Sequence, residues 1–299
     1  MAPVTRLLLP FPDGTSAVVA AEGRWARTLL AELAGVLRLT PESVSSPAAA
    51  DCMLADGGEP PAGFQAWPGA LRAEGRMYWD PASFRFHLRL EESLSRGHHL
   101  PIVRRVFNLA LLRRTLRGGA SVMLHGALLA LPETGQGVVL FAESGVGKST
   151  ASRRFAAQGG TALADDKLLL TFLSDGRLVA QPTPTWSRLA KERDISVAFA
   201  APVPVAAVLM LSRGEGDRIE EASEADWRIA LCRGFGNVLF NPVGWLPEEV
   251  RKAVMAAALP RAEELRRRFG TRMLRGDLHG EIFRHLRDFV RAEEARGGA

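Results

Sequence analysis

The residues Ser144-Gly-Val-Gly-Lys-Ser-Thr150 have the types and spacing of a phosphate-binding loop. Two glycines, Gly145 and Gly147, allow a tight backbone curl that turns N–H groups toward phosphate oxygens. Lys148 is placed to reach the β- and γ-phosphates of a nucleotide, and the Ser149 hydroxyl is placed to hold Mg²⁺. These residues predict a site for ATP and Mg²⁺. The predicted cofactor-binding residues are Ser144, Gly145, Val146, Gly147, Lys148, Ser149 and Thr150.

The elements around this loop suit a phosphate site. Val138–Phe141 predicts a strand that leads into the loop, and Lys148–Ala157 predicts a helix that follows it. Strand, glycine-rich loop and helix in this order are the context that a phosphate cradle needs, and the helix N-terminus adds positive charge. Ala142 stands where the loop pattern usually begins with glycine, and a methyl group is tolerated there if φ is negative.

Two adjacent carboxylates, Asp165 and Asp166, follow the next predicted strand, Ala162–Ala164. One carboxylate could hold Mg²⁺ while the other accepts the proton of an attacking hydroxyl. The alternative is a solvent-exposed pair at a strand-to-turn junction. The neighbouring phosphate loop favours the catalytic interpretation.

A single histidine, His125, interrupts the apolar segment Val122–Leu131, which predicts one strand. A lone histidine in such a strand is more often a core residue than a functional one. The next predicted strand leads into the loop, so His125 and the loop are expected on neighbouring strands at the same end of the sheet.

Three segments together resemble the core of HPr kinase/phosphorylase in order and spacing. They are Leu124-His125-Gly126, Ala142–Ser149 and Ala164-Asp165-Asp166. That enzyme belongs to the same structural class as ATP-dependent phosphoenolpyruvate carboxykinase. The resemblance is specific over residues 124–170. It is closer to HPr-kinase-related proteins of bacterial gene cassettes, including the SynChlorMet cassette protein and lasso-peptide precursor kinases.

The resemblance implies an α/β fold with a P-loop core, in which helices flank a mixed sheet. It also implies a role for each polar residue. Asp166 would be the general base, Ser149 and Asp165 would be the metal ligands, and Lys148 and His125 would act in the catalytic centre.

The resemblance further implies an arginine that stabilises the transferring phosphate. Arg188, in the segment Pro182–Arg188, is the candidate, and Arg233 in "CRGFGN" is the alternative. Both arginines also have an ordinary interpretation as surface or ion-paired groups.

The predicted activity is Mg-ATP-dependent transfer of the γ-phosphate to a Ser/Thr hydroxyl of a protein or peptide, such as one encoded by a neighbouring gene. A small-molecule hydroxyl kinase is a second interpretation. A non-catalytic ATP-binding sensor or scaffold is a third, and it would not need the Asp pair and His125. The resembled enzyme is a hexamer, so a homo-oligomer is also implied.

Composition sets the broader limits. The chain has 299 residues, 47% of them hydrophobic and 24% charged, with a net charge of +5. It shows no basic motif with interleaved aromatic residues and no apolar run long enough to cross a bilayer, so we expect neither nucleic-acid nor membrane partners. Two widely spaced cysteines favour the cytoplasm. We predict an N-terminal α+β unit at residues 1–97 and a kinase-like domain with C-terminal helices at 98–299.

Overall fold

The computed structural model describes residues 4–44, 50–67, 75–90, 99–118, 120–186, 196–240, 247–277 and 279–297. The chain forms two compact units. The first comprises residues 1–121, 196–200 and 239–254, and the second comprises residues 122–195, 201–238 and 255–299. The predicted boundary between residues 97 and 98 lies before a helix that belongs to the first unit, and the two-domain assignment stays a prediction.

In the part of the chain that the structure describes, the first unit contains a seven-stranded sheet and two complete helices. Its sheet has the order β3-β1-β2-β4-β7-β6-β5, with antiparallel hairpins at both ends. The elements are β1 Val4–Pro10, β2 Ser16–Glu22, α1 Arg24–Leu37, β3 Glu42–Val44, β4 Cys52–Asp56, β5 Gln65–Ala66, β6 Gly75–Asp80, β7 Arg85–Leu90 and α2 His99–Gly118.

The described residues of the second unit form a nine-stranded mixed sheet and four helices, two of which continue into the first unit. The elements are β8 Ser121–Leu124, β9 Gly126–Ala130, β10 Gly137–Phe141, α3 Lys148–Ala157, β11 Thr161–Ala164, β12 Leu168–Phe172, β13 Leu178–Pro182, β14 Val203–Arg213, β15 Arg218–Glu221, α4 Glu224–Phe240, α5 Glu248–Phe269, β16 Arg272–Gly276 and α6 Ile282–Gly297. The unit boundaries fall within β8, α4 and α5. The mixed α/β fold expected from the sequence is confirmed.

The order of strands in the second unit positions the candidate site. The main path of the sheet is β11-β9-β10-β14-β13-β12-β8, and β16 pairs with both β14 and β15. Strand β10 is antiparallel to β9 but parallel to β14, which is in turn parallel to β16. The carboxyl ends of β10, β14 and β16 therefore lie at one edge of the sheet.

Both faces of this sheet are buried, which explains why its central strands are almost wholly apolar. Alternate residues contribute to separate core clusters because successive side chains point to opposite faces. One cluster joins the sheet to α4 and α5 and includes Leu128, Val139, Phe141, Trp227 and Leu265. The opposite cluster joins the sheet to α3 and α6 and includes Leu129, Val138, Leu140, Phe155 and Leu286.

Two sequence predictions are corrected by the structure. The segment Val122–Leu131 is not one strand. It divides at His125 into two strands. Strand β8 pairs with β12, and strand β9 pairs with β10 and β11. The C-terminal part, for which only helices were predicted, also contains a strand, β16, which is half-buried at its ends and pairs with β14 in the sheet. Within the described ranges, no helix is both long and apolar enough to cross a membrane.

Candidate active site

The six residues 142–147, which we call the glycine loop, connect β10 to α3. Gly145 and Gly147 have φ values of 84° and 125°, in the left-handed region that strongly favours glycine. Helix α3 begins at Lys148 with no side-chain hydrogen bond to its N-cap and no acidic residue in its first turn. The first amides of a helix need partners, so this N-terminus is suited to an anion.

Lys148 folds back over the glycine loop. Its Nζ atom donates hydrogen bonds to the carbonyl oxygens of Ala142, at 3.0 Å, and Glu143, at 3.1 Å. The residue is only 5% exposed. Burial lowers the pKa of Lys148 to about 8, and the negative charge of Asp166 opposes this shift. The ammonium group is therefore held at the loop and coupled electrostatically to Asp166.

A second cation, Arg213, holds the other half of the glycine loop. Its Nη2 atom donates to the carbonyl oxygen of Gly145 at 2.6 Å, and its Nε atom donates to that of Val146 at 3.1 Å. In a trans peptide, the carbonyl and the following N–H point in opposite directions. Fixing these carbonyls on Arg213 therefore turns the amides that follow them toward the other side of the loop.

Sequence reasoning missed Arg213. It is the last residue of β14, separated from a long apolar run by Ser212, and it has no motif spacing to the glycine loop. Its position follows from the parallel pairing of β14 with β10, in which Met210 lies opposite Phe141. The only signal in the sequence was a charged residue at the carboxyl end of a buried strand.

His125 and Asp166 meet at the other side of the loop. The Nδ1 atom of His125 lies 2.6 Å from the backbone carbonyl oxygen of Asp166 and 3.3 Å from its carboxylate oxygen Oδ1. A carbonyl oxygen only accepts, so Nδ1 carries the hydrogen and Nε2 is left for other chemistry. Gly126 lies opposite Phe141, which places His125 level with the start of the glycine loop, as the sequence predicted.

The break in the strand at His125 has a structural cause. The His125 amide donates to the carbonyl oxygen of Gly234 in α4, at 3.1 Å, and the Gly126 amide donates to that of Asp166, at 3.2 Å. A Cβ on Gly234 would lie 2.8 Å from Leu124 Cδ1, so a larger residue there would require the Leu124 side chain to shift. Helix α4 therefore anchors the chain at the histidine.

Asp165 and Ser149 differ in exposure. Asp165 is buried, with 5% exposure, whereas Ser149 is exposed on the first turn of α3. Among the described residues, no three or more His, Cys, Asp or Glu side chains cluster to hold a metal ion by themselves. Mg²⁺ bound with a nucleotide commonly uses one or two protein oxygens together with phosphate oxygens, and this donor set fits that pattern.

The structure describes only one of the two arginines that were candidates for contacting the transferring phosphate. Arg188 lies outside the described residues. Arg233, the alternative, forms an ion pair with Glu143 of the glycine loop. Both of these side chains are more than half exposed, at 59% and 53%. Arg233 thus reaches the loop by pairing with Glu143, a residue to which the sequence analysis assigned no role.

The remaining predicted cofactor-binding residues lie where a nucleotide could contact them. Ser144 and Gly145 are exposed, while Val146, Gly147 and Thr150 are partly exposed. Together with Lys148 and Ser149 they surround the N-terminus of α3. The glycine geometry, the uncapped helix and the lysine fit the phosphates of ATP.

Comparison with protein families gives a match at residues 94–291, to the family described as "SynChlorMet cassette protein ScmC". This match spans more than half of the 299 residues. The chain belongs to the ScmC family. The predicted resemblance to the SynChlorMet cassette protein is thereby confirmed, and the matched region contains the glycine loop, His125 and the Asp pair.

Curated proteins and solved structures add little. No curated protein matches the chain. Among solved structures, the chain is similar to "Structure of the Hpr(Ser) kinase/phosphatase from Coxiella burnetii", with 15% sequence identity and a TM-score of 0.23. That similarity covers 49% of this chain and 92% of the other.

Proposed function

We propose that this ScmC-family protein is a Mg-ATP-dependent kinase that transfers the γ-phosphate of ATP to a Ser/Thr hydroxyl of a protein or peptide. The observation that carries the proposal is the contact of His125 with Asp166, together with the electrostatic coupling of Asp166 to Lys148. These groups converge beside a loop whose glycines and helix N-terminus suit phosphate.

The proposed chemistry depends on charge neutralisation and positioning. The loop amides and Lys148 hold the β- and γ-phosphates and neutralise their charge. Mg²⁺, when bound with the nucleotide, would supply further positive charge, and Ser149 and Asp165 are the residues that would hold it. Of the two arginines that the resemblance pointed to, Arg233 is the one that the structure describes, and it pairs with Glu143 of the same loop.

Asp166 serves as the base in this proposal. Its carboxylate accepts the proton of the acceptor hydroxyl as that oxygen bonds to the γ-phosphorus, and the bond from phosphorus to the ADP oxygen breaks with its electron pair on ADP. His125 fixes Asp166 through Nδ1 and keeps Nε2 available toward the transferring group. The nature of the acceptor, a product of a neighbouring gene as one example of it, and action in the cytoplasm are parts of this proposal.

The test is incubation with Mg²⁺ and γ-labelled ATP, with and without the small proteins or peptides encoded beside the gene. Label is followed into protein, peptide and free phosphate, with Lys148→Ala and Asp166→Asn as controls. We expect label on one neighbour and its loss in both variants. Tight ATP binding with no transfer to any acceptor, water included, would instead identify a nucleotide sensor.

A further inference from the structure

A cleft of about 500 Å³ lies beside the glycine loop, on the side away from β9 and β11. One wall is the loop and the first turns of α3, including Gly147 and Thr150. The other wall is formed by the carboxyl ends of β14 and β16, including Ser212, Arg213 and Asp277. This volume is within the usual range for a small-molecule site.

The location of the cleft is typical of ligand sites in α/β proteins. The strands β10, β14 and β16 are parallel, and ligands of such sheets bind in crevices outside the carboxyl ends of the strands. A second cleft of about 540 Å³ lies along residues 205–209, near the start of β14, and does not include the glycine loop. Only the first of these two clefts adjoins the proposed phosphate site.

The strand order separates the two ends of a bound nucleotide. His125 precedes β9 and Asp166 follows β11, whereas the cleft adjoins β14 and β16. The glycine loop follows β10, between these two groups. A triphosphate lying on the loop, with its γ-phosphate toward Asp166, would therefore direct its other end into the cleft.

Asp277 supplies a fixed polar group in this cleft. Its Oδ2 atom accepts from the Gly216 amide at 3.0 Å, and its Oδ1 atom accepts from the His279 amide at 3.1 Å. These two backbone hydrogen bonds fix the orientation of the carboxylate at the edge of the cleft. A fixed carboxylate is the group that commonly accepts hydrogen bonds from ribose hydroxyls in nucleotide sites.

Arg213 supplies the adjoining wall. Its guanidinium is held by the two loop carbonyls and is therefore fixed in orientation while remaining exposed. A planar guanidinium of this kind can stack on an aromatic ring. It thus offers a surface for the base next to a carboxylate that suits the ribose.

We propose that this cleft binds the nucleoside part of ATP, with Asp277 accepting from the ribose hydroxyls and Arg213 lying against the base. This assignment rests on the proposed function for the position of the phosphates. It makes the cleft, rather than the glycine loop, the part of the site that distinguishes a nucleotide from inorganic polyphosphate.

The test compares the affinities of Mg-ATP and Mg-tripolyphosphate by calorimetry, for the wild type and for Asp277→Asn. Loss of a charged acceptor is expected to weaken ATP binding about tenfold and to leave tripolyphosphate binding unchanged. The same variant should bind ATP and its 2′,3′-dideoxy analogue with nearly equal affinity. Glu215→Gln, an exposed carboxylate-to-amide change before β15, is the matched control and should behave as wild type.

A second variant covers the case in which Asp277→Asn unfolds. Ser212→Phe places a ring in the cleft, and it should weaken ATP binding but not tripolyphosphate binding. Equal weakening of both ligands, or of neither, in a folded variant overturns the nucleoside assignment. Failure of wild-type protein to bind either ligand overturns it as well. Selective loss of ATP binding without phosphoryl transfer in the labelling experiment would support the cleft and contradict the kinase.

Discussion

The backbone carbonyl oxygen of Asp166 accepts the Nδ1 hydrogen bond of His125 at 2.6 Å. The adjacent Gly126 amide donates to the same oxygen at 3.2 Å. His125, just before β9, and Gly126, the first residue of β9, therefore both hold the backbone of Asp166, which follows β11. The carboxylate is left near Nδ1, at 3.3 Å, and close enough to Lys148 to raise the pKa of that lysine against the effect of burial.

The first prediction separates phosphate binding from phosphoryl transfer. Lys148→Ala should abolish ATP binding or turnover because it removes the cation buried at the loop. Asp166→Asn should leave ATP affinity largely intact and lower kcat by about a hundredfold or more, because an amide cannot accept the hydroxyl proton. Calorimetry and single-turnover labelling measure the two effects. Equal loss of binding in both variants would make Asp166 a structural or metal-binding residue.

The second prediction concerns pH. Lys148 has a pKa of about 8 when folded, against 10.5 ordinarily, so it loses its charge as the pH rises through about 8. ATP affinity should therefore fall above that pH, as measured by calorimetry on both sides of it. Lys148→Arg is the control, since arginine stays charged and should remove this dependence.

The lowered pKa of Lys148 also affects the stability of the ligand-free protein, but in the opposite direction: a rise in pH should stabilise the fold. Between pH 8 and 10.5 the unfolded state binds more protons at Lys148 than the folded state does, so the free energy of unfolding should rise with pH across this window. Below pH 8 the cost of burying the charged group is fully present. The comparison is denaturant unfolding of wild type and Lys148→Met. A parallel pH dependence in the two proteins would contradict the lowered pKa.

The third prediction distinguishes the two nitrogens of His125. Asparagine can place a donor near the position of Nδ1 but provides nothing at Nε2. If Nε2 acts on the transferring group, His125→Asn should fold normally, bind ATP as wild type does and transfer phosphate about tenfold or more slowly. Thermal unfolding, ATP affinity and kcat are the readouts. Full activity in His125→Asn together with loss in His125→Ala would show that the histidine only anchors the Asp166 carbonyl.

The fourth prediction concerns the ion pair between Arg233 and Glu143. Because both side chains are largely exposed, removing either should change the free energy of unfolding by less than about 1 kcal/mol. If Arg233 contacts the transferring phosphate, Arg233→Ala should lower kcat while Glu143→Gln should not. Arg233→Lys should recover only part of the rate, since lysine lacks the bidentate geometry. Equal loss in Arg233→Ala and Glu143→Gln would mean that the pair only positions the loop.

Local patterns in the sequence predicted the elements that carry the site. The apolar residues before Ala142, the glycines of the loop and the residues of α3 are contiguous, and their spacing reflects contacts within one strand–loop–helix unit. The same holds for Asp165 and Asp166, which directly follow β11. Residue type and short-range periodicity are sufficient where the interacting groups are close in sequence.

Other features depend on contacts between distant segments. No local pattern shows that α4 approaches His125 through Gly234 and divides an apolar segment into two strands, because that segment is apolar on both sides of the break. The strand β16 was missed for a similar reason, since it is short and follows a long helix. Its place in the sheet is determined by pairing with β14 rather than by its own composition.

The sequence by itself identified the residues that are proposed to bind phosphate, and it determined which carboxylates follow the next strand. Tertiary structure alone decided that Arg213 holds the loop carbonyls, that Arg233 pairs with Glu143, and that Asp277 lies in the adjoining cleft. For Arg213 and Asp277, the physical reason is the parallel part of the mixed sheet, formed by β10, β14 and β16. Its strands come from segments separated by long connections, and only their pairing in register brings the carboxyl ends of β10, β14 and β16 to one edge.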